Sequence, residues 1–246
     1  LAPRSARPSA RAASRSPSIA ALPEQAKQNV KLRNTPISMP AQGVWLDGLL
    51  SHAPDVRGLA IHLHSSGHPP LGAVTPPLEA ELHAHGFATL TLDLLTRQEV
   101  ARDPDAPYNI PRLTERILCA AEWALHQPPL AALPLGLVAQ DTGCAAAIRA
   151  AVKAPERFTA LACLDGRADL AGAEPLRTLR CPVRFVISPG NASSAILEKA
   201  FGLVGGPRHW LALPEARDPR LQEQLLARAA ATWLEQHVLA AQSATG

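Results

Sequence analysis

The segment that decides the fold covers residues 133–148 and reads Leu-Pro-Leu-Gly-Leu-Val-Ala-Gln-Asp-Thr-Gly-Cys-Ala-Ala-Ala-Ile. Residues 135–139 are apolar and follow a proline, which predicts a short buried strand. Residues 142–152 are rich in alanine and contain no proline, which predicts a helix. The chain must therefore turn tightly from strand to helix around Asp141, with a small residue on either side of the turn.

This turn has the spacing of a nucleophile elbow, in which a small residue precedes the apex by two positions and a glycine follows it by two. Ala139 and Gly143 occupy those positions, and Asp141 is the apex. An apex residue points out of the top of the sheet beside the first amides of the next helix, which can stabilise an oxyanion. The apex is ordinarily Ser or Cys, so the segment defines a fold more clearly than a reaction.

Asp141 has more than one interpretation from the sequence alone. The ordinary one is a helix cap, because an Asp oxygen accepts amide hydrogens of the first turn and a negative charge suits that end of a helix. The others are a role in binding a ligand or a metal ion. The pattern favours the cap and leaves the others open.

The composition bounds the classes of function. The chain has 246 residues, 47% hydrophobic and 18% charged, which fits one large α/β domain with a tail or two small domains. Its net charge of +3 comes largely from the N-terminal segment, so no nucleic-acid-binding surface is predicted for the folded part. No apolar run approaches the roughly 20 residues of a membrane span, so no membrane partner is expected.

The N-terminal segment differs in composition from the rest of the chain. Residues 1–22 consist mainly of Ala, Arg, Ser and Pro, and no acidic residue precedes Glu24. Such a segment is predicted to be disordered. Its composition is typical of an organelle transit peptide, and a flexible extension is the favoured alternative. We expect a disordered tail at residues 1–35, one domain at 36–240 and a flexible C-terminus at 241–246.

The four cysteines are far apart and form no CxxC pair. This pattern indicates buried thiols in a reducing compartment, and a cytoplasmic location is expected. Cys144 follows the apex by three residues, so its side chain should pack inside the first helical turn instead of acting as a nucleophile. The other three cysteines are Cys119, Cys163 and Cys181.

Predicted strands and helices alternate along the chain, which indicates a parallel sheet covered by helices on both faces. The four tryptophans are predicted to pack in the core or against helices. Besides the central segment, strands are predicted at residues 44–50, 58–63, 87–92, 158–164, 182–188 and 210–213, and helices at 75–85, 110–126, 192–201 and 220–238.

The order of these landmarks resembles the α/β-hydrolase superfamily, specifically small dienelactone-hydrolase-like proteins without a lid domain. The resemblance covers residues 44–237. It implies a three-layer α/β/α sandwich around a mostly parallel, twisted sheet. The strings that carry it are Leu-Asp-Gly-Leu-Leu at 46–50, the strand that ends at His64, Phe-Ala-Thr-Leu-Thr-Leu-Asp-Leu-Leu-Thr at 87–96, Asn-Ile-Pro-Arg-Leu at 109–113, and Gly-Arg-Ala-Asp-Leu-Ala-Gly at 166–172.

The resemblance also places the family's catalytic positions. The nucleophile position is Asp141, the acid position is Asn191, in Ser-Pro-Gly-Asn, and the base position is Asp218, in Pro-Glu-Ala-Arg-Asp. The oxyanion loop, usually His-Gly-x-Gly, is His64-Ser65-Ser66-Gly67. All three triad positions depart from the family pattern. A triad needs an imidazole to move the nucleophile's proton, and two neighbouring carboxylates would instead share one.

Residues 138–143 also resemble the elbow of haloalkane dehalogenases and epoxide hydrolases, in which an Asp attacks carbon. That first attack needs no base, but hydrolysis of the resulting ester does. Those families have a helical cap after the strand equivalent to 158–164, whereas here only a short segment, through Arg180, precedes the next strand. Thr142 also replaces the Trp that dehalogenases use to hold halide. Both departures weigh against this resemblance.

Histidines and carboxylates are predicted near the carboxyl ends of the strands. Strand alternation puts His62 and His64 on one side of the sheet, with His68 in the following loop. A divalent metal ion could be held by such a set together with Asp93, Asp141, Asp165 and Asp218. Each residue has an ordinary alternative: the resemblance implies a structural His64, and Asp93 is expected to brace its turn. We therefore predict no metal and no cofactor.

Two hypotheses for function follow. The first is a dienelactone-hydrolase-like pseudoenzyme that has lost its triad and either binds a small-molecule ligand or a partner or carries out no chemistry. The second is an active ester or lactone hydrolase with a non-standard set of catalytic residues drawn from Asp141, Asp218, His64 and His68. The sequence leaves the oligomeric state open. The predicted pocket around the elbow is formed by His64, Ser65, Ser66, His68, Thr142 and Arg167, the last of which could bind a carboxylate or be an ordinary surface residue.

Overall fold

A computed structural model describes residues 32–67 and 76–239. Within them, eight strands form a single sheet in the order β1-β2-β4-β3-β5-β6-β7-β8. The strands are β1 (Arg33–Ala41), β2 (Val44–His52), β3 (Gly58–His64), β4 (Phe87–Asp93), β5 (Leu135–Gln140), β6 (Ala160–Leu164), β7 (Val183–Ile187) and β8 (Arg208–Ala212).

The sheet is antiparallel at one edge and parallel elsewhere. β2 pairs antiparallel with both β1 and β4. All pairings from β4 through β3, β5, β6 and β7 to β8 are parallel. The loops that follow the parallel strands therefore meet at one edge of the sheet, which is where ligands bind in open α/β sheets.

Helices cover both faces of the sheet. Helix α1 packs beside α7 on one face, and α3 packs beside α4 on the other. Two separate apolar cores result, and consecutive residues of β5 alternate between them: Leu137 lies in one and Val138 in the other. The helices are α1 (Pro77–Ala84), α2 (Arg97–Arg102), α3 (Ile110–Leu125), α4 (Gly143–Lys153), α5 (Ala173–Thr178), α6 (Ser194–Leu203) and α7 (Pro219–Leu234), the last followed by a π-helical turn at Glu235–Leu239. The predicted three-layer α/β/α sandwich is confirmed.

The structure differs from the prediction in several elements. Strand β1 was not predicted and begins at Arg33, inside the predicted tail. Its two prolines weaken the strand signal in the sequence, but a strand at the edge of a sheet tolerates proline. The six-residue helices α2 and α5 were also missed because they are too short to show periodicity. Trp45 was predicted to be packed but is 64% exposed on β2.

Some predictions fall outside the described residues. They concern most of the N-terminal tail, the C-terminal residues after 239, His68 and the first residue of the helix predicted at 75–85. Within the described parts of the chain, no helix combines the length and apolar content that crossing a membrane requires.

Candidate functional site

The predicted elbow forms at the carboxyl end of β5. Asp141 has a φ of 47°, in the left-handed region, and α4 begins two residues later. The loop after β6 packs against this turn and bonds to it: Arg167 N donates a hydrogen bond to Asp141 O at 2.8 Å. Gly166 packs so closely that a Cβ there would be 2.6 Å from Asp141 O and 2.8 Å from Asp141 N. The strained apex is therefore fixed by its neighbours.

The Asp141 carboxylate does not cap the helix, so that interpretation was wrong. The N-cap of α4 is Thr142, and among the residues that the structure describes no side chain bonds to the free amides of the first turn. The left-handed backbone explains this, because an N-cap residue normally has β-region angles. The carboxylate is exposed, and none of the described residues forms a hydrogen bond or ion pair with it.

The loop that follows β3 meets the elbow, as predicted. The hydroxyls of Ser65 and Thr142, both buried, lie 3.2 Å apart. Ser66 Oγ donates a hydrogen bond to Asp93 Oδ2 at 3.0 Å. Asp93 Oδ1 also accepts the amide hydrogen of Leu95 at 3.0 Å, which is the turn-bracing role predicted for Asp93.

The side-chain amide of Asn191, the residue predicted at the acid position, forms a hydrogen bond with the loop after β6. Asn191 Nδ2 donates to Asp165 Oδ1 at 3.0 Å, and Asn191 Oδ1 accepts from Ser193 N at 2.8 Å. The same Asp165 oxygen accepts the amide of Ser188 at 2.6 Å. Asp165, at the end of β6 with a φ of 51°, thus joins the loops after β6 and β7. The Asn191 side chain, which was predicted at the acid position, therefore contributes to the connection between these two loops.

Asp218, which was predicted at the base position, caps a helix. Its Oδ1 accepts the amide hydrogen of Leu221 at 2.8 Å, and it is the N-cap of α7. Its side chain is exposed, and it shares no hydrogen bond with Asp141 or Asn191. The three residues predicted at the triad positions therefore lie on the loops after β5, β7 and β8, and their side chains share no hydrogen bond.

Arg167 binds a carboxylate of its own chain. Its Nε and Nη2 atoms donate to the two oxygens of Asp169 at 2.9 and 2.8 Å. The hydrogen bond raises the pKa of Arg167 and lowers that of Asp169. The guanidinium is therefore already paired, and the clearest link of Arg167 to the elbow is its backbone amide.

The two histidines of β3 lie on one side of the sheet, as the alternation predicted. Their ring centroids are 4.1 Å apart. On that side α1 contributes Glu79, whose Oε1 lies 2.7 Å from His62 Nδ1. His62, His64 and Glu79 are the described residues that could hold a metal ion. Glu79 was missed from the sequence; the signal is a glutamate beside Leu78 and Leu82, on the helix face that enters the core.

The cysteines supply no nucleophile at the elbow. All four are free thiols, and Cys119 is only partly buried. Cys144 is buried, and its Sγ lies 3.2 Å from Ala139 O within the turn. Burial raises the pKa of Cys144 well above its ordinary value, so the thiol stays protonated.

A cavity of about 410 Å³ opens beside the loop after β3. Gly67 forms part of its wall, so this loop connects the cavity with the elbow. The remaining wall comes from β2, the end of β4 and the start of α2. Its lining residues there are Trp45, Asp47, Asp93, Leu95, Thr96, Arg97 and Gln98.

Solved structures with the same architecture settle the fold. Dienelactone hydrolase from Anabaena variabilis matches with a TM-score of 0.75 and 25% identity, over 84% of this chain and 99% of that protein. The chain has an α/β-hydrolase fold of the dienelactone-hydrolase type. The esterase domain of a Rhodothermus marinus protein shares this fold, with a TM-score of 0.64 and 17% identity over 84% of this chain and 100% of that domain.

Two relatives found by sequence similarity are not named as hydrolases. Two Mycobacterium tuberculosis proteins, each named "Putative phosphoribosyl transferase", are 29% identical to this α/β-hydrolase-fold chain over 214 residues. The match covers 84% of the chain but 47% of each relative, so the chain spans about half their length. No protein-family model matches the chain.

Proposed function

We propose that this chain is a dienelactone-hydrolase-like pseudoenzyme, whose elbow region binds a small-molecule ligand instead of hydrolysing an ester. The observation that carries the proposal is the separation of the three triad-equivalent side chains. Asp141 has no partner among the described residues, Asn191 is bonded to Asp165, and Asp218 caps α7. Hydrolysis by a triad needs these three groups in one hydrogen-bonded chain.

The residue types agree with this geometry. A carboxylate at the apex could attack an ester carbonyl, but release of the product then requires a base that activates water. Among the described residues, no histidine nitrogen lies within 4 Å of the Asp141 carboxylate. The apex is therefore better suited to bind a ligand's hydrogen-bond donors or positive charge.

The lining of the adjacent cavity suggests what the ligand looks like. Asp47 offers acceptor oxygens, and Trp45 adds an exposed aromatic face. A small molecule with hydroxyl or amino donors and one flat apolar surface fits this lining. The phosphoribosyl transfer in the relatives' name does not enter the proposal, because the chain spans about half of those proteins.

A second candidate function is ester or lactone hydrolysis by a non-standard site around Asp141. One observation favours it: the elbow keeps the left-handed apex, with a φ of 47°, and the uncapped amides of α4 beside it. Those are the features that stabilise an oxyanion in an active enzyme. The two candidates differ in a single measurable property, turnover that depends on the Asp141 carboxylate.

The test compares wild-type protein with Asp141→Ala and Asp141→Asn on p-nitrophenyl acetate and on a dienelactone, with and without EDTA. We expect all three proteins to give the same rate as buffer. Turnover in the wild type that both variants lose would establish the second candidate.

A thermal-shift screen of small polar aromatic compounds tests ligand binding. A compound that stabilises the wild type but not Trp45→Ala supports the cavity as the binding site. If every stabilising compound acts equally on Trp45→Ala, the ligand is bound elsewhere and this part of the proposal fails. Asp169→Ala, which does not alter a residue that lines the cavity, serves as the control variant.

A further inference from the structure

A polar layer is buried between α1 and the sheet, where apolar side chains are expected. His62 and Glu79 are each 4% exposed, and His62 Nδ1 lies 2.7 Å from Glu79 Oε1. Thr91 Oγ1, on β4, donates a second hydrogen bond to the same Glu79 oxygen at 2.8 Å. Burying a histidine and a glutamate here opposes folding unless their polar atoms are satisfied.

Two atoms of this layer are not satisfied. His62 Nε2 and Glu79 Oε2 are both buried and have no hydrogen-bond partner. The neighbouring His64 ring contacts the His62 ring and makes no hydrogen bond with any described residue. The three residues each offer one ligand atom, and these atoms all lie within 4.8 Å of one another. Buried polar atoms without a partner, in a group of residues that can ligate a metal, indicate a site for a cation.

We propose that His62, His64 and Glu79 bind a divalent transition-metal ion, for which Zn²⁺ is the best match. Two imidazoles and one carboxylate form a common three-ligand zinc set, which leaves a fourth position for water. Imidazole ligands disfavour Mg²⁺ and Ca²⁺, which prefer oxygen. This inference does not depend on the proposed function of the elbow.

The geometry allows the ion with a small adjustment. Bonds of about 2 Å in a tetrahedral site put ligand atoms roughly 3.3 Å apart. The present separations of up to 4.8 Å must therefore shorten, which a rotation of the partly buried His64 ring can supply. Because the His64 ring is only partly buried, an ion could reach the site from solvent at the end of β3.

The charges of the ligands are favourable. Burial, with a contribution from His62, lowers the pKa of His64 to about 4, so its imidazole is neutral and able to coordinate at neutral pH. Burial raises the pKa of Glu79, but the bonds to His62 and Thr91 outweigh this and the net shift is downward. A bound ion would link α1 to β3 directly before the loop that follows His64.

The experiment uses the full chain without an affinity tag, stripped with a chelator and dialysed. Zn²⁺ is titrated by calorimetry and by competition with a chromophoric chelator. We expect one equivalent to bind, a higher melting temperature with Zn²⁺ than with Mg²⁺, and visible absorption typical of tetrahedral coordination when Co²⁺ replaces Zn²⁺.

Three variants decide the assignment. His64→Ala and Glu79→Gln should each weaken Zn²⁺ binding by at least about tenfold, and His126→Ala, which alters the exposed histidine at the C-cap of α3, should not. Circular dichroism checks folding, and His64→Ala remains decisive if Glu79→Gln is unfolded. Failure of the wild type to bind Zn²⁺, or full affinity in His64→Ala, would overturn the proposal.

Discussion

Replacing Gly166 with alanine should destabilise the protein strongly, because this residue packs directly against the backbone of the elbow. A Cβ at Gly166 would lie 2.3 Å from Cys144 Sγ, 2.6 Å from Asp141 O and 2.8 Å from Asp141 N. Carbon contacts are normally about 3.5–4.0 Å, so each of these atoms must move by roughly 1 Å. Two of them belong to the backbone of a residue with a φ of 47°, which has little freedom to adjust.

The expected loss of unfolding free energy follows from that crowding. Overpacking a well-filled site costs about 1–3 kcal/mol, and occasionally more. Displacement of a rigid backbone places Gly166→Ala at the upper end of this range, at about 3 kcal/mol. Gly202→Ala is the matched control: a Cβ there meets nothing within 4 Å, and α6 should gain about 0.5–1 kcal/mol from the better helix former.

The assay is urea unfolding followed by circular dichroism, with the slope of free energy against urea compared between variants. We expect the midpoint to fall for Gly166→Ala and to rise slightly for Gly202→Ala at an unchanged slope. If Gly166→Ala lost less than about 1 kcal/mol, the loop after β6 would not hold the apex in place, and the described elbow geometry would be refuted.

Two further predictions concern ion pairing and helix capping. Glu99→Gln should cost about 3–5 kcal/mol in urea unfolding, because it leaves the buried Arg116 guanidinium without its partner at 2.6 Å, whereas the exposed Glu115→Gln should change little. The Arg116 hydrogen bond lowers the pKa of Glu99 from 4.5 to about 2. The Glu99 carboxylate therefore stabilises the folded state fully above pH 4.5, and this stabilisation is lost as the pH falls toward 2. If the difference in unfolding free energy between wild type and Glu99→Gln stayed constant across this pH range, the pairing would be contradicted. Asp218→Ala should lose about 0.5–2 kcal/mol in the same assay and Asp218→Asn almost nothing, since asparagine also caps; equal losses would exclude the capping role.

The sequence was sufficient for those parts of the fold that local patterns encode. The apolar run of β5 followed by the alanine-rich α4 predicted the elbow, and strand alternation correctly put His62 and His64 on one side. Where the pattern is masked by proline, as in β1, or the helix has six residues, as in α2, tertiary pairing determines the element and the sequence signal is weak.

The candidate site was less predictable because its contacts are between distant segments. Asp is a residue type that often caps helices, but the left-handed backbone at Asp141 prevents this role. Only the backbone geometry reveals the left-handed turn. The engagement of Asn191 by Asp165 likewise joins two loops separated by 26 residues. Glu79 belongs to no recognised sequence motif, and its contact with His62 becomes visible only once α1 is packed against β3.

The most direct test of the account is whether the Asp141 carboxylate supports any ester hydrolysis. Purified wild-type protein and Asp141→Asn, which keeps the shape and removes the charge, should hydrolyse p-nitrophenyl acetate at the rate of buffer alone. A wild-type rate well above buffer that disappears in Asp141→Asn would contradict the account, because it would require a working catalytic partner beside the apex.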